Sequence, residues 1–192
     1  MQELWVRDML NNNQKKFLLR LAKRVIESEI NNTEIGFKKP DDEIYNEKFG
    51  GFVTIHDHGK LRGCIGYVEA YKSIYETIID MAKSAAFNDP RFTPIRKKDL
   101  DFIDIEISIL SPLEEFSDIN SIKIGQDGLL IKNTFQSGLL LPQVATEWGW
   151  NKIQFIEQTC KKAGLDINCW KDKSCIIYKF KAEVFDEKIF DT

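Results

Sequence analysis

Histidine is scarce in this chain: His56 and His58 are the only two. Histidine-based acid–base or metal chemistry is therefore confined to one place. No apolar run approaches the ~20 residues that cross a bilayer as a helix. The opening Met1-Gln2-Glu3-Leu4-Trp5 carries neither a basic stretch nor an apolar core of signal-peptide type. A cytoplasmic location is expected. No Cys-x-x-Cys pattern occurs among Cys64, Cys160, Cys169 and Cys175. Without a secretory signal they are expected to be reduced thiols. Cys169 and Cys175 also lack the nearby histidines that a zinc site would use. Positive charge is not in excess, with 27 Lys+Arg against 30 Asp+Glu, which weighs against general nucleic-acid binding. No repeat, low-complexity tract or linker divides the chain. Its 192 residues, 43% apolar and 30% charged, fit one domain over residues 1–192. Residues 1–12 read as a lead-in and roughly 13–187 as the core.

The periodicities that are present place the elements. Leu18, Leu21, Ala22 and Val25 recur at helical spacing, which predicts a helix from Asn13 as cap to a stop at Asn31-Asn32. Residues 31–51, with Pro40 and Gly50-Gly51, read as a loop. Ser73 and Glu76 form a capping box, and Ile74, Ile78, Met81, Ala82 and Ala85 continue it to Asn88-Pro90. Asp89 and Arg91 read as a local ion pair holding a corner, or as a corner that aims Arg91 at an anion. Phe102 to Leu110 alternates, with isoleucines on one face and Asp104 and Glu106 on the other, solvated one. Short strands follow, with turns expected at Gln126-Asp127-Gly128 and Gln136-Ser137-Gly138. Leu139 to Leu141 reads as a buried strand end, and Pro142 as the first residue of a short helix. Asn151 caps a helix that buries Phe155, Ile156, Thr159, Cys160 and Ala163 and stops at Gly164. A last strand runs from Ile176 to Phe185, with Tyr178, Phe180, Ala182 and Val184 on one side. The fold class is α+β, a mainly antiparallel or mixed sheet covered by helices.

One stretch carries an unusual combination. Phe52 to His56 reads as a strand, Asp57-His58-Gly59-Lys60 as a tight turn, and Leu61 to Val68 as the return strand. A two-residue His58-Gly59 loop would pair His56 with Leu61 and Val53 with Cys64. In that register His56 and Cys64 project to opposite faces, and a one-residue slip would bring them together. Arg62 and Cys64 share a face. Gly63 and Gly66 flank the thiol, and glycine inside a strand marks a bulge or a close backbone approach.

Leu61-Arg62-Gly63-Cys64-Ile65-Gly66 resembles the signature of the AMMECR family. Further segments resemble it in order: Asp89-Pro90-Arg91-Phe92, Ile107 to Glu114, Gly138 to Ala145 and Cys160 to Leu165. The likeness covers nearly the whole chain. It implies a larger subdomain built from both chain ends, a smaller β-rich one, and a signature stretch near the cleft between them. It also implies a Memo-like or a radical SAM protein as partner in a modification pathway.

Three chemistries fit the stretch. In an enzyme, Cys64 is the nucleophilic or redox thiol, Arg62 lowers its pKa and His56 is the base. In a binding module, Gly63 and Gly66 let a ligand or partner approach. Arg62 and Arg91 then grip an anionic group, and Gln143 and Glu147 line the opposite wall. Metal binding through His56, His58 and Cys64 is the weakest set, since His58 sits at a turn tip. A wholly structural reading has the glycines permitting tight packing and Cys64 filling space. No metal or cofactor is assigned.

Overall fold

The computed structural model describes residues 10–190, the side chains of residues 189 and 190 excepted. The first nine residues of the lead-in lie outside it. The chain divides into two compact units, Met1–Leu110 with Glu183–Thr192, and Ser111–Ala182.

In the first unit, helix α1 (Asn12–Asn31) opens on Asn11 rather than Asn13. Only Asn11 has a glutamine three residues on that returns its bond. Its side chain accepts from the Gln14 N–H while Gln14 accepts from the Asn11 N–H. The helix closes at Asn32, at φ 52°. The following segment is not all loop. Asp42 caps a short 3-10 turn, Glu43–Asn46, with Tyr45 buried.

Strand β1 (Gly50–Asp57) and strand β2 (Lys60–Tyr67) form the expected hairpin. His58 and Gly59 both have positive φ, 49° and 75°, the pattern of a type I′ turn. Gly50 and Gly51 begin β1 rather than end a loop; a Cβ on Gly50 would stand 2.3 Å from the Val68 carbonyl oxygen. Helix α2 (Ile74–Lys83) starts with the expected Ser73–Glu76 box and runs into a π-type turn, Ser84–Asn88. Strand β3 (Ile103–Leu110) pairs antiparallel with β1. Val53, Ile55, Ile105 and Ile107 are fully buried in one core with Leu18, Val25, Ile78 and Ala82 of the two helices. The opposite face is less solvated than expected: Asp104 and Glu106 are half-buried and Ser108 is 1% exposed.

The second unit holds strands β4 (Glu114–Glu115), β5 (Asp127–Lys132) and β6 (Ser137–Leu140), helices α3 (Pro142–Glu147) and α4 (Lys152–Lys162), and most of strand β7 (Ile176–Asp186). Strand β5 pairs antiparallel with β6 and β7, and β4 with β7. The last residues of β7 belong to the first unit, where β7 neighbours β3 in the order β2-β1-β3-β7.

Both turns fall earlier than expected. Gly125, at φ 76°, turns the chain before β5, and the Asn133 side chain accepts from the N–H groups of Phe135 and Gln136 before β6. Gly128 and Gly138 instead allow close approach. A Cβ would meet the Phe180 ring at 2.3 Å on Gly128 and the Ala163 nitrogen at 2.2 Å on Gly138. Pro142 is the first residue of α3 as expected, whereas Leu139, Leu140 and Leu141 are half-buried rather than buried.

Helix α4 has an Asn151–Gln154 capping box and buries Phe155, Ile156, Thr159 and Cys160, in a core with Leu129 and Ile131. Along β7 the buried residues are Ile177, Phe180 and Phe185, not one alternating face. Ile177 serves the second core and Phe185 the first. The class is α+β, with antiparallel strands, helices, and a larger unit made from both chain ends.

Candidate functional site

The hairpin register decides what surrounds Cys64. Asp57 pairs with Lys60 and His56 with Leu61, but Ile55 then pairs with Gly63. Arg62 is the extra residue of a bulge. Thr54, not Val53, therefore stands opposite Cys64. The Thr54 hydroxyl donates to the Cys64 sulfur at 3.2 Å. The slip also puts His56 in the parity of Thr54 and Cys64 along the paired strands, reversing the register expected from loop length alone.

Cys64 presents its main chain away from β1. Its N–H donates to Asp89 Oδ2 at 2.9 Å, and its carbonyl accepts from Arg91 Nη2 at 3.1 Å. Thr54 and Cys64 are thus a pair without mutual main-chain bonds, the type whose side chains lie closest. Asp89 and Arg91 are joined by Nη2 to Oδ2 at 2.7 Å and Nε to Oδ1 at 2.9 Å. The pair is the expected ion pair, but it grips Cys64 as well as its own corner. The π-type turn makes this possible. It buries Ala85 and Ala86, frees the Ala86 carbonyl to accept from the Ile95 N–H at 2.8 Å, and delivers Asp89 to β2.

The electrostatics follow. Asp89 is 4% exposed, and the Arg91 guanidinium holds its carboxyl well below the usual carboxylate range, helped by the N–H groups of Cys64 and Arg91. Arg91 is raised in return. Burial pushes the Cys64 thiol up, against the smaller opposing effects of the Thr54 hydroxyl and the Arg91 charge. This is opposite to the lowering expected from Arg62. The bulge takes Arg62 out of the pairing, and its guanidinium donates to Thr93 Oγ1 at 3.2 Å and the Pro94 carbonyl at 3.4 Å.

The two glycines are filled by this chain itself. A Cβ on Gly63 would lie 2.2 Å from the Ala85 carbonyl oxygen. On Gly66 it would lie 2.2 Å from the Phe52 ring and 2.5 Å from the Gly51 carbonyl oxygen. Both permit close packing around the thiol. His58 is exposed; its Nδ1 lies 2.5 Å from Asp57 Oδ1 and its ring stacks on Phe102. Among the described residues no three His, Cys, Asp or Glu side chains are grouped to hold a metal ion. Gln143, half-buried, and Glu147, exposed, belong to α3 of the second unit. Asp89 and Thr54 are the site residues that sequence reasoning left out. The corner Asp89-Pro90-Arg91 pointed to the first; only the bulge points to the second.

The AMMECR1 family model matches residues 19–185, and the chain belongs to that family. A protein of Methanothermobacter thermautotrophicus is 40% identical over 186 residues, covering 93% of this chain and 96% of its own. Protein TK0174 of Thermococcus kodakarensis is 41% identical, covering 90% of each. The crystal structure of the uncharacterized protein PH0010 from Pyrococcus horikoshii superposes with a TM-score of 0.86 at 38% identity, covering 93% of this chain and 94% of that one. No described helix is long and apolar enough to cross a membrane.

Proposed function

We propose that this chain is a binding or accessory module of the cytoplasm whose recognition surface is the stretch Leu61–Gly66. The partner is a Memo-like or a radical SAM protein in a modification pathway, an assignment that rests on the family resemblance. The observation that carries a binding role is the state of Cys64. Its main chain is fixed on both polar groups, and its thiol is held in the neutral form by burial. A nucleophilic cysteine needs the thiolate; a contact residue needs only a fixed position and shape. Leu61, 44% exposed beside the half-buried Arg62, supplies apolar contact area. The enzyme alternative, with Cys64 as nucleophilic or redox thiol, draws on the Thr54 hydrogen bond and the Arg91 charge, both of which act toward thiolate.

The test is calorimetric titration of a purified Memo-like protein and a purified radical SAM protein into wild type, Arg62→Ala and Cys64→Ser. The binding reading expects one of them to bind, Arg62→Ala to weaken it at least ~tenfold, about 1.4 kcal/mol, with the melting temperature kept, and Cys64→Ser to bind like wild type. Absence of binding to both overturns it. A Cys64 alkylation midpoint below neutral pH would favour the enzyme.

A further inference from the structure

The other three cysteines converge in the second unit, and the proposed function uses none of them. Cys160, on α4, is fully buried; Cys169, in the 3-10 turn Cys169–Lys171, is 8% exposed. Cys175 is half-buried just before β7. All three are free thiols. The sulfurs of Cys169 and Cys160 lie 3.0 Å apart, and Cys175 packs against the core cluster that holds both. Burial, then the neighbouring sulfurs, push the Cys169 thiol up, so exchange through it is slow at neutral pH and quickens as pH rises. Closing the 160–169 pair to a bond of ~2.05 Å needs a movement of about 1 Å. A single buried cysteine is ordinary core filling. Three in series, not arranged to hold a metal, are placed for thiol–disulfide exchange.

We propose that Cys160, Cys169 and Cys175 form a thiol–disulfide exchange site for a small-molecule disulfide, with Cys175 as the point of entry and Cys160–Cys169 as the final bond. The Cys175 sulfur attacks the external disulfide; a mixed disulfide forms, the external S–S bond breaks, and one small thiol leaves with the Cys175 proton. The Cys169 sulfur attacks the Cys175 sulfur, and the second small thiol leaves with the Cys169 proton. The Cys160 sulfur then attacks Cys169, and Cys175 takes the Cys160 proton and is free again. Two electrons pass from two cysteine thiols to the external disulfide, which is reduced to two thiols. The new bond joins α4 to the turn nine positions along the chain.

The experiment incubates the full chain with oxidised glutathione, alkylates the remaining thiols under denaturing conditions, and maps the peptides by mass spectrometry. The expected product is a Cys160–Cys169 disulfide, reversible by dithiothreitol, with Cys64 and Cys175 alkylated. Cys175→Ser should form it at least tenfold more slowly, and Cys64→Ser at the wild-type rate. A stable glutathione adduct on Cys175 as the end product overturns the proposal. So does full alkylation of Cys160 and Cys169 at equilibrium, or an undiminished rate in Cys175→Ser.

Discussion

Replacing Asp89 with asparagine keeps the shape of the side chain and removes its charge. The carboxylate accepts from the Cys64 N–H at 2.9 Å, the Arg91 N–H at 3.1 Å, and Arg91 Nε and Nη2 at 2.9 and 2.7 Å. Arg91 is 52% exposed, so its guanidinium regains water and its share of the loss is small. The main-chain donors are part-buried and do not regain it. Asparagine has one acceptor oxygen, so an amide N–H must face one of them. Hydrogen bonds to charged groups contribute ~1.5–3 kcal/mol, and the expected loss is of that order. At ~2–4 °C per kcal/mol for a chain of this size, melting falls by about 3–12 °C. The pH dependence sharpens the test. The folded-state pKa of Asp89 is depressed, so its contribution is fully present above the ordinary value of ~3.9 and is lost as pH falls through the folded-state value. Urea unfolding of wild type and Asp89→Asn should show a constant gap between pH 7 and pH 5 that shrinks below about pH 4. A gap under ~0.5 kcal/mol at pH 7, within the usual scatter of surface changes, would refute the reasoning. A gap that persists unchanged to pH 2 would do the same.

Gly63→Ala drives a methyl into the Ala85 main chain at 2.2 Å, and should cost at least ~1–3 kcal/mol in thermal unfolding. Gly59→Ala meets no atom within 4 Å and should cost only the ~1 kcal/mol of its left-handed backbone; equal losses at the two positions would contradict this assignment. The alkylation rate of Cys64 against pH should give a midpoint above the free-thiol value of ~8.5. Thr54→Val removes the hydroxyl that favours the thiolate and should move that midpoint higher still. A fall would mean the hydroxyl does not donate to the sulfur.

What was legible in the sequence was local. The Ser73–Glu76 box, the Asn151 cap, the His58-Gly59 turn and the Pro142 helix start each depend on partners within a few residues. The Arg62 bulge does not. It accompanies the approach of the Ala85 carbonyl to Gly63 and of Asp89 to Cys64, contacts spanning more than twenty residues. Missing it misassigned the partner of Cys64 and the side taken by His56. Asp89 and Arg91 were recognisable as a pair, but their target 25 positions away was not. Gly128 and Gly138 were read as turns because glycine serves turns and close approaches alike. The two-sided burial of β7 was hidden because one strand supplies two separate cores, each setting its own inward parity.

Strand β2 lies last in its order, with β1 as its only described neighbour. An outermost strand normally invites another peptide to extend the sheet. At Cys64 that invitation is withdrawn, since both outward-facing main-chain groups already have side-chain partners. Anything that docks on this margin must read Leu61 and its neighbours by their side chains. A segment seeking to zip alongside the backbone would first have to displace an arginine and a buried aspartate.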